Sequence, residues 1–181
     1  NFDLNAYSHS TMAVLRYTDK KIRFPAGTGV SSVRLKLLNL DNKEKRNYDF
    51  LNLTPQASFN YAFKQQTNWS FNYRGTTRQP SINQLQPLRD NTNPLFIMEG
   101  NPDLKVGFNH SLSTFFHSYK VLGGRGIFAS ASFTKINNAI TTYSTLDPRT
   151  GKRTSRPVNV NGNYDWYTWA EFNKNGGEKK L

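Results

Sequence analysis

The sequence predicts an all-β chain, an antiparallel up-and-down meander of about seven long strands. Three observations carry this. The 181 residues include 21 Asn and 16 Thr but only 4 Glu, and Asn and Thr are poor helix formers where Glu is a good one. Aromatic residues make up 14% of the chain and suit pleated, half-buried strands. Polar and apolar residues alternate with period two nearly everywhere, the spacing that sends successive side chains to opposite faces of a strand.

Two weaker strands come first, around Ala6 to Tyr17 and Ile22 to Leu38. The clearest runs from Leu51 to Lys64. Leu51, Leu53, Pro55, Ala57, Phe59, Tyr61 and Phe63 share one face, and Asn52, Thr54, Gln56, Ser58, Asn60 and Lys64 share the other. Helical spacing would mix these sets. Trp69, Phe71 and Tyr73 then oppose Asn68, Ser70, Asn72 and Arg74. Leu104, Val106, Phe108, Leu112 and Phe116 oppose Lys105, Asn109, Ser111 and Ser113. Ile127, Ala129, Ala131 and Phe133 oppose Ser130, Ser132 and Thr134. A last strand sets Val158, Val160, Tyr164 and Trp166 against Asn159, Asn161, Asn163 and Asp165.

The connections alternate in length. Short ones lie at Asp19-Lys20, Gln65-Gln66, Gly123-Gly124 and Asn175-Gly176-Gly177; long ones run from Asn39 to Asp49, Thr77 to Asp103 and Asp147 to Arg156. Short turns on one rim and long loops on the other are typical of outer-membrane barrels. The short turns would then be periplasmic and the long loops extracellular. Strand ends beside the short turns carry Tyr61, Phe63, Trp69, Phe71, Phe116, Trp169 and Phe172, which suits a girdle of aromatics at the membrane interface. Pro25, Pro55 and Pro157 sit in or beside strands; proline loses a ladder hydrogen bond, so these are expected on the extracellular extensions.

Mean hydropathy is −0.70, low for a soluble sandwich and acceptable for a barrel wall with one wet face. The formal charge of +12 is scattered, mostly through turns and loops, and reads first as solvated surface. The alternative is contact with anions. There is no cysteine, so disulfides and thiolate zinc sites are excluded. Asn1 to Tyr17 lacks the apolar stretch of a signal peptide. The longest apolar runs, such as Leu95-Phe96-Ile97-Met98, are too short for a membrane helix, but a barrel strand needs only about 9–11 alternating residues.

No catalytic constellation stands out. His9, His110 and His117 are the histidines. The last two are seven apart on one expected strand, on opposite faces and more than ~20 Å apart. Gly123-Gly124-Arg125-Gly126 lacks the strand–loop–helix setting of a phosphate cradle and reads as a tight turn. No metal or cofactor is expected, and the chain is not expected to be an enzyme.

One stretch suggests a family. It runs Tyr73-Arg74-Gly75-Thr76-Thr77-Arg78-Gln79-Pro80-Ser81-Ile82-Asn83-Gln84-Leu85, then Asp90-Asn91-Thr92-Asn93-Pro94-Leu95, then Gly100-Asn101-Pro102-Asp103-Leu104-Lys105. This resembles the late barrel region of TonB-dependent receptors, particularly the outer-membrane β-barrel family of Bacteroidetes. Arg156-Pro157-Val158-Asn159-Val160-Asn161-Gly162 looks like the same family. The resemblance is good from Phe50 to Phe172; the first 49 residues fit by pattern only.

The resemblance implies a 22-stranded transmembrane β-barrel around an N-terminal plug, taking up metal chelates, glycans or similar nutrients with energy passed through TonB. It implies as partners outer-membrane lipid and lipopolysaccharide, the protein's own plug and remaining strands, TonB through that plug, and a surface lipoprotein, but no nucleic acid. Seven strands fall short of the roughly eight needed to close a barrel, so residues 1–181 read as a partial barrel. In the long loop, Pro80 presets a turn and Ser81 caps a short helical turn through Leu85. That loop is expected to brace the extracellular rim; direct ligand contact by Arg78, Gln84, Arg89, Asn91 or Asn93 is the alternative. Two other functions compete with uptake: a soluble β-sandwich binding glycan or nucleic acid, and an outer-membrane barrel that transports nothing.

Overall fold

The computed structural model describes residues 2–39, 43, 45–86, 89–120 and 123–174, with backbone only at residues 2, 4, 39 and 89–92. The alternating stretches form β1 (Phe2–Thr18), β2 (Ile22–Asn39), β3 (Lys45–Lys64), β4 (Thr67–Arg78), β7 (Gly107–Lys120), β8 (Arg125–Asn137) and β11 (Asn163–Lys174). These seven make one sheet in the order β1-β2-β3-β4-β7-β8-β11, and every neighbouring pair is antiparallel. The expected meander of seven strands is present. The Asn175-Gly176-Gly177 turn lies outside the described residues.

The long connections carry structure that the sequence reading left as loops. The connection from Thr77 to Asp103 contains a one-turn helix α1 (Ile82–Leu85) and two strands, β5 (Arg89–Asn93) and β6 (Phe96–Glu99). β9 (Ala139–Leu146) precedes the connection expected from Asp147 to Arg156, and β10 (Arg153–Val160) begins inside it, so that the four short strands are β5, β6, β9 and β10. The four form a second sheet, ordered β5-β6-β10-β9. β6 and β10 run parallel through three rungs, Phe96 with Arg153, Ile97 with Thr154 and Met98 with Ser155. Two separate connections are therefore joined side by side. The stretch from Val158 to Trp166, expected as one strand, is two. The chain breaks at Asn161-Gly162, where Gly162 has φ +92°, a conformation that glycine adopts without the Cβ clash.

The prolines correct one expectation. Pro157 lies in β10 on the long-connection side, but Pro25 lies close to the short turn before β2. The β2–β3 ladder skips Phe24 and Pro25 between Arg23 and Ala26, so the missing N–H loses no rung to β3.

Phe50, Leu85 and Leu104 form the buried cluster, with Val33, Leu35, Tyr48, Val106 and Ile140 against it. It sits only at the long-connection end. Elsewhere large apolar side chains lie open on the sheet: Leu15 is 83% exposed, Leu51 59% and Trp166 67%. A sandwich would bury such residues against a second layer about 10 Å away. A contiguous apolar face of this extent marks a surface with an apolar neighbour.

Candidate functional site

The strand register sorts the side chains into two faces. Across one run Ala57, Tyr73, Leu112, Phe133 and Trp166, and also Tyr61, Trp69, Phe116, Ala129 and Ala170. Across the other run Ser58, Asn72, Ser113, Ser132 and Tyr167, and also Asn60, Ser70, Phe115, Ser130 and Trp169. One face suits hydrocarbon and the other water.

Most of the expected girdle shares the apolar face toward the short turns. Tyr61 and Phe63 meet edge to face at 4.6 Å, Phe63 and Phe116 at 6.4 Å, and Phe59 and Trp69 at 5.8 Å. The Trp69 Nε1–H donates to Thr114 Oγ1 at 2.7 Å, which satisfies the polar end of an otherwise apolar ring. Phe71 pairs with Phe59, and Phe172 with Ile127, on this face. Trp169 departs from the group. It pairs with Ser130 and falls on the polar face. The reason is parity: Trp169 and Phe172 differ by three, so one strand cannot show both on one side.

Toward the long connections the two faces exchange character. On β3 the apolar face carries Leu51 and Leu53, but beyond them Asp49, Asn47 and Lys45. The polar face carries Asn52 and Thr54, but beyond them Phe50 and Tyr48, whose rings stack at 6.3 Å. The change on β2 matches: Val33, Leu35 and Leu37 join the formerly polar face, and Arg34 and Lys36 the formerly apolar one. Arg34 Nε donates to Asp49 Oδ1 at 2.6 Å, and Lys36 Nζ stands 5.6 Å from the centre of the Tyr7 ring. The sequence shows the exchange at Phe50-Leu51, adjacent apolar residues of opposite parity. The strand expected from Leu51 stopped at that break.

The apolar extension of the polar face is where α1 packs. Ser81 caps it: Ser81 Oγ accepts from the Gln84 N–H, and Gln84 Oε1 accepts from the Ser81 N–H at 2.9 Å. This reciprocal box holds Leu85, 1% exposed, against Phe50 and Leu104. The Asn101 N–H donates to the Gln84 carbonyl, and its side-chain amide donates to the Pro157 carbonyl at 2.9 Å. The second connection is thereby tied to the first.

This geometry places the candidate ligand residues. Gln84 spends its amide oxygen on the cap. Asn93 accepts from the Leu95 N–H at 3.0 Å, a local turn bond. Arg78 is exposed at the end of β4, on the polar face, with no side-chain partner among the described residues. Arg89 and Asn91 lie in β5, and their side chains are outside the described residues. Arg78, Gln84 and Asn93, whose side chains are described, line none of the described hollows.

The described residues contain no group of three or more His, Asp or Glu able to hold a metal. His110 and His117 fall on opposite faces. His110 Nδ1 meets the Tyr73 hydroxyl at 3.1 Å and its Nε2 meets Asn137 Nδ2 at 3.2 Å. In the β9–β10 turn, Asp147 accepts from the Thr150 hydroxyl and the Arg149 N–H. These bonds, the Thr150 one foremost, hold its carboxyl below the ordinary range.

The comparisons agree with this geometry. Residues 1–178 match the outer membrane protein beta-barrel family. No curated protein matches the chain. Among solved structures, the siderophore receptor PirA from Pseudomonas aeruginosa is similar at a TM-score of 0.55 and 13% identity, over 99% of this chain and 41% of that one. At this identity the likeness concerns fold, and this chain spans less than half of that structure. With one apolar face, one polar face and a family match over nearly every residue, the chain belongs to the outer membrane protein beta-barrel family, and its place is the outer membrane.

Proposed function

We propose that the chain is part of the wall of a TonB-dependent receptor of Bacteroidetes type, which takes up a scarce nutrient such as a metal chelate or a glycan. In this reading the whole barrel has 22 strands and encloses its own plug domain, through which TonB acts. The observation that carries it is the fold likeness to a siderophore receptor along 99% of the chain. The apolar face meets lipid, with Tyr61, Phe63, Trp69, Phe71, Phe116 and Phe172 at headgroup depth beside the periplasmic turns. The polar face turns toward lumen and plug. The packed second sheet forms the extracellular rim, open to ligand through Arg78 and to a surface lipoprotein. The chain itself performs no catalytic step.

The test is uptake by cells carrying the full-length gene. Accumulation of ferric chelates and of oligosaccharides is measured with the gene intact, with it deleted, and with TonB deleted. The reading expects saturable accumulation of one class that needs both. Accumulation that persists without TonB removes the energised receptor and leaves a passive or structural barrel.

A further inference from the structure

A hollow of about 680 Å³ lies on β1–β4 and is lined largely from the polar face. Three arginines line it, Arg16 on β1, Arg23 on β2 and Arg74 on β4, together with Gln56, Ser58 and Asn72. The register places all six on the polar side: Arg16 pairs with Pro25, Arg23 with Asn60, Gln56 with Arg74 and Ser58 with Asn72. Among the described residues no carboxylate lines the hollow. The three guanidiniums make no ion pair or side-chain hydrogen bond among the described residues. The acidic groups that this face does carry among described strand residues, Asp165 and Glu171, stand on β11, at the opposite edge of the sheet. Charge on the inward wall is therefore segregated.

We propose that this hollow is a binding site for a solute carrying two or more carboxylate or phosphate groups. It lies toward the short turns, away from the second sheet, on the face that the reading above turns toward lumen and plug. Guanidinium is the side chain suited to these anions, because its fork of N–H donors matches two oxygens at once. Adjacent strands are about 4.8 Å apart, so the arginines on β1 and β4 are separated by three strand spacings. That spread suits several linked anionic groups better than one small ion. Gln56, Ser58 and Asn72 supply neutral donors between the charges. A barrel interior concentrates field lines from charges of one sign and raises the local concentration of a counter-charged solute. The site rests on the polar face being inward, which follows from the family, and not on energised uptake.

The experiment uses the full-length barrel in detergent at low ionic strength, with inorganic pyrophosphate and citrate as probes in calorimetric titration. The wild type is expected to bind at least one of them, with affinity falling as salt rises. Arg16→Gln/Arg23→Gln/Arg74→Gln is expected to weaken binding by roughly tenfold or more. Arg74→Lys, which keeps the charge and loses the fork, is expected to fall between. Both variants are checked for the heat-modifiable gel migration of a folded barrel. The relative affinity of the two probes separates a phosphate site from a carboxylate site. Absence of binding to the wild type, or unchanged binding in the folded triple variant, overturns the proposal. So does a wild type that binds neither probe while the triple variant melts earlier, since the arginines would then be holding the protein's own chain. Because the measurement needs neither TonB nor cells, it can succeed where the uptake reading fails, and the reverse.

Discussion

Asn159 holds the backbone of Lys105 from both sides. Its amide oxygen accepts the Lys105 N–H at 2.8 Å, and its amide nitrogen donates to the Lys105 carbonyl at 2.9 Å. The same nitrogen also donates to the Asn138 carbonyl at 2.9 Å. One side chain thus stands in for a strand rung and fixes where the chain enters β7. Asn159→Ala should cost about 1–2 kcal/mol of local stability. The expected result is faster deuterium uptake at residues 102–106 with unchanged uptake along β7. Equal uptake in both proteins would dismiss the clamp.

Leu85→Ala opens a cavity under the buried cluster, and Leu-to-Ala changes in cores cost about 2–5 kcal/mol. Phe50, Val33 and Leu35, which meet this cluster from β2 and β3, are held as well by the ladder between those strands. The variant should therefore still migrate as a folded barrel, while limited trypsin cuts the segment between β4 and β7 faster by roughly 30-fold or more. Unchanged cleavage would place the energy of this rim elsewhere.

Gly100 is fixed by space rather than by φ. A Cβ there would overlap the carbonyl oxygen and carbon of Gln86, both backbone atoms that cannot swing aside. Gly100→Ala should push β6 away from the end of α1 and loosen Asn101 as well. Proteolysis should then resemble that of Leu85→Ala, and a double variant should add little to either.

Leu112 and Ser113 are neighbours on β7 with opposite outlooks, since Leu112 pairs with Tyr73 and Phe133, and Ser113 with Asn72 and Ser132. An arginine facing lipid near mid-membrane costs about 2–4 kcal/mol, and one facing the lumen costs little. Leu112→Arg should lower the denaturant midpoint in bilayers and Ser113→Arg should leave it nearly unchanged. Reversal of that order would mean that the faces are assigned backwards.

Asp147 makes the β9–β10 turn sensitive to acid. Its folded carboxyl is held below the ordinary range by Thr150 first and the Arg149 N–H second. A depressed folded pKa gives stability that is present above the unfolded value, about 3.9, and is lost as pH falls through the folded one. Asp147→Asn should speed exchange of the Arg149 amide at neutral pH, and the difference should vanish in strong acid. A difference that survives protonation would exclude the carboxylate as its source.

The large sheet was legible in the sequence because alternation is a local signal: Leu51 to Lys64 states its own two faces. The capped turn at Ser81 was legible for the same reason. The second sheet was not. β5 and β6 are five and four residues long, and β6 is held by β10, 54 or more residues away in the chain, which no local pattern reports. Trp169 failed through grouping by height instead of parity, although the parity was in plain view. The arginine hollow was missed because Arg16, Arg23 and Arg74 lie on three strands and converge only through register. Asn101 looked like a turn residue and Asn159 like part of a strand's polar face, and their partners are set by tertiary contact alone.

The exchange of faces on β2 and β3 bears on how such a chain can be recognised at all. Along β3 the large apolar residues are Tyr48 and Phe50 before the break, at even positions, and Leu51, Leu53, Phe59, Tyr61 and Phe63 after it, at odd ones. What changes is phase, by half a period. One strand thus carries two apolar faces in succession, separated by a slip in rhythm. A single inserted or deleted residue at Phe50 would cancel that slip and put Tyr48 on the same face as Leu51 and Leu53.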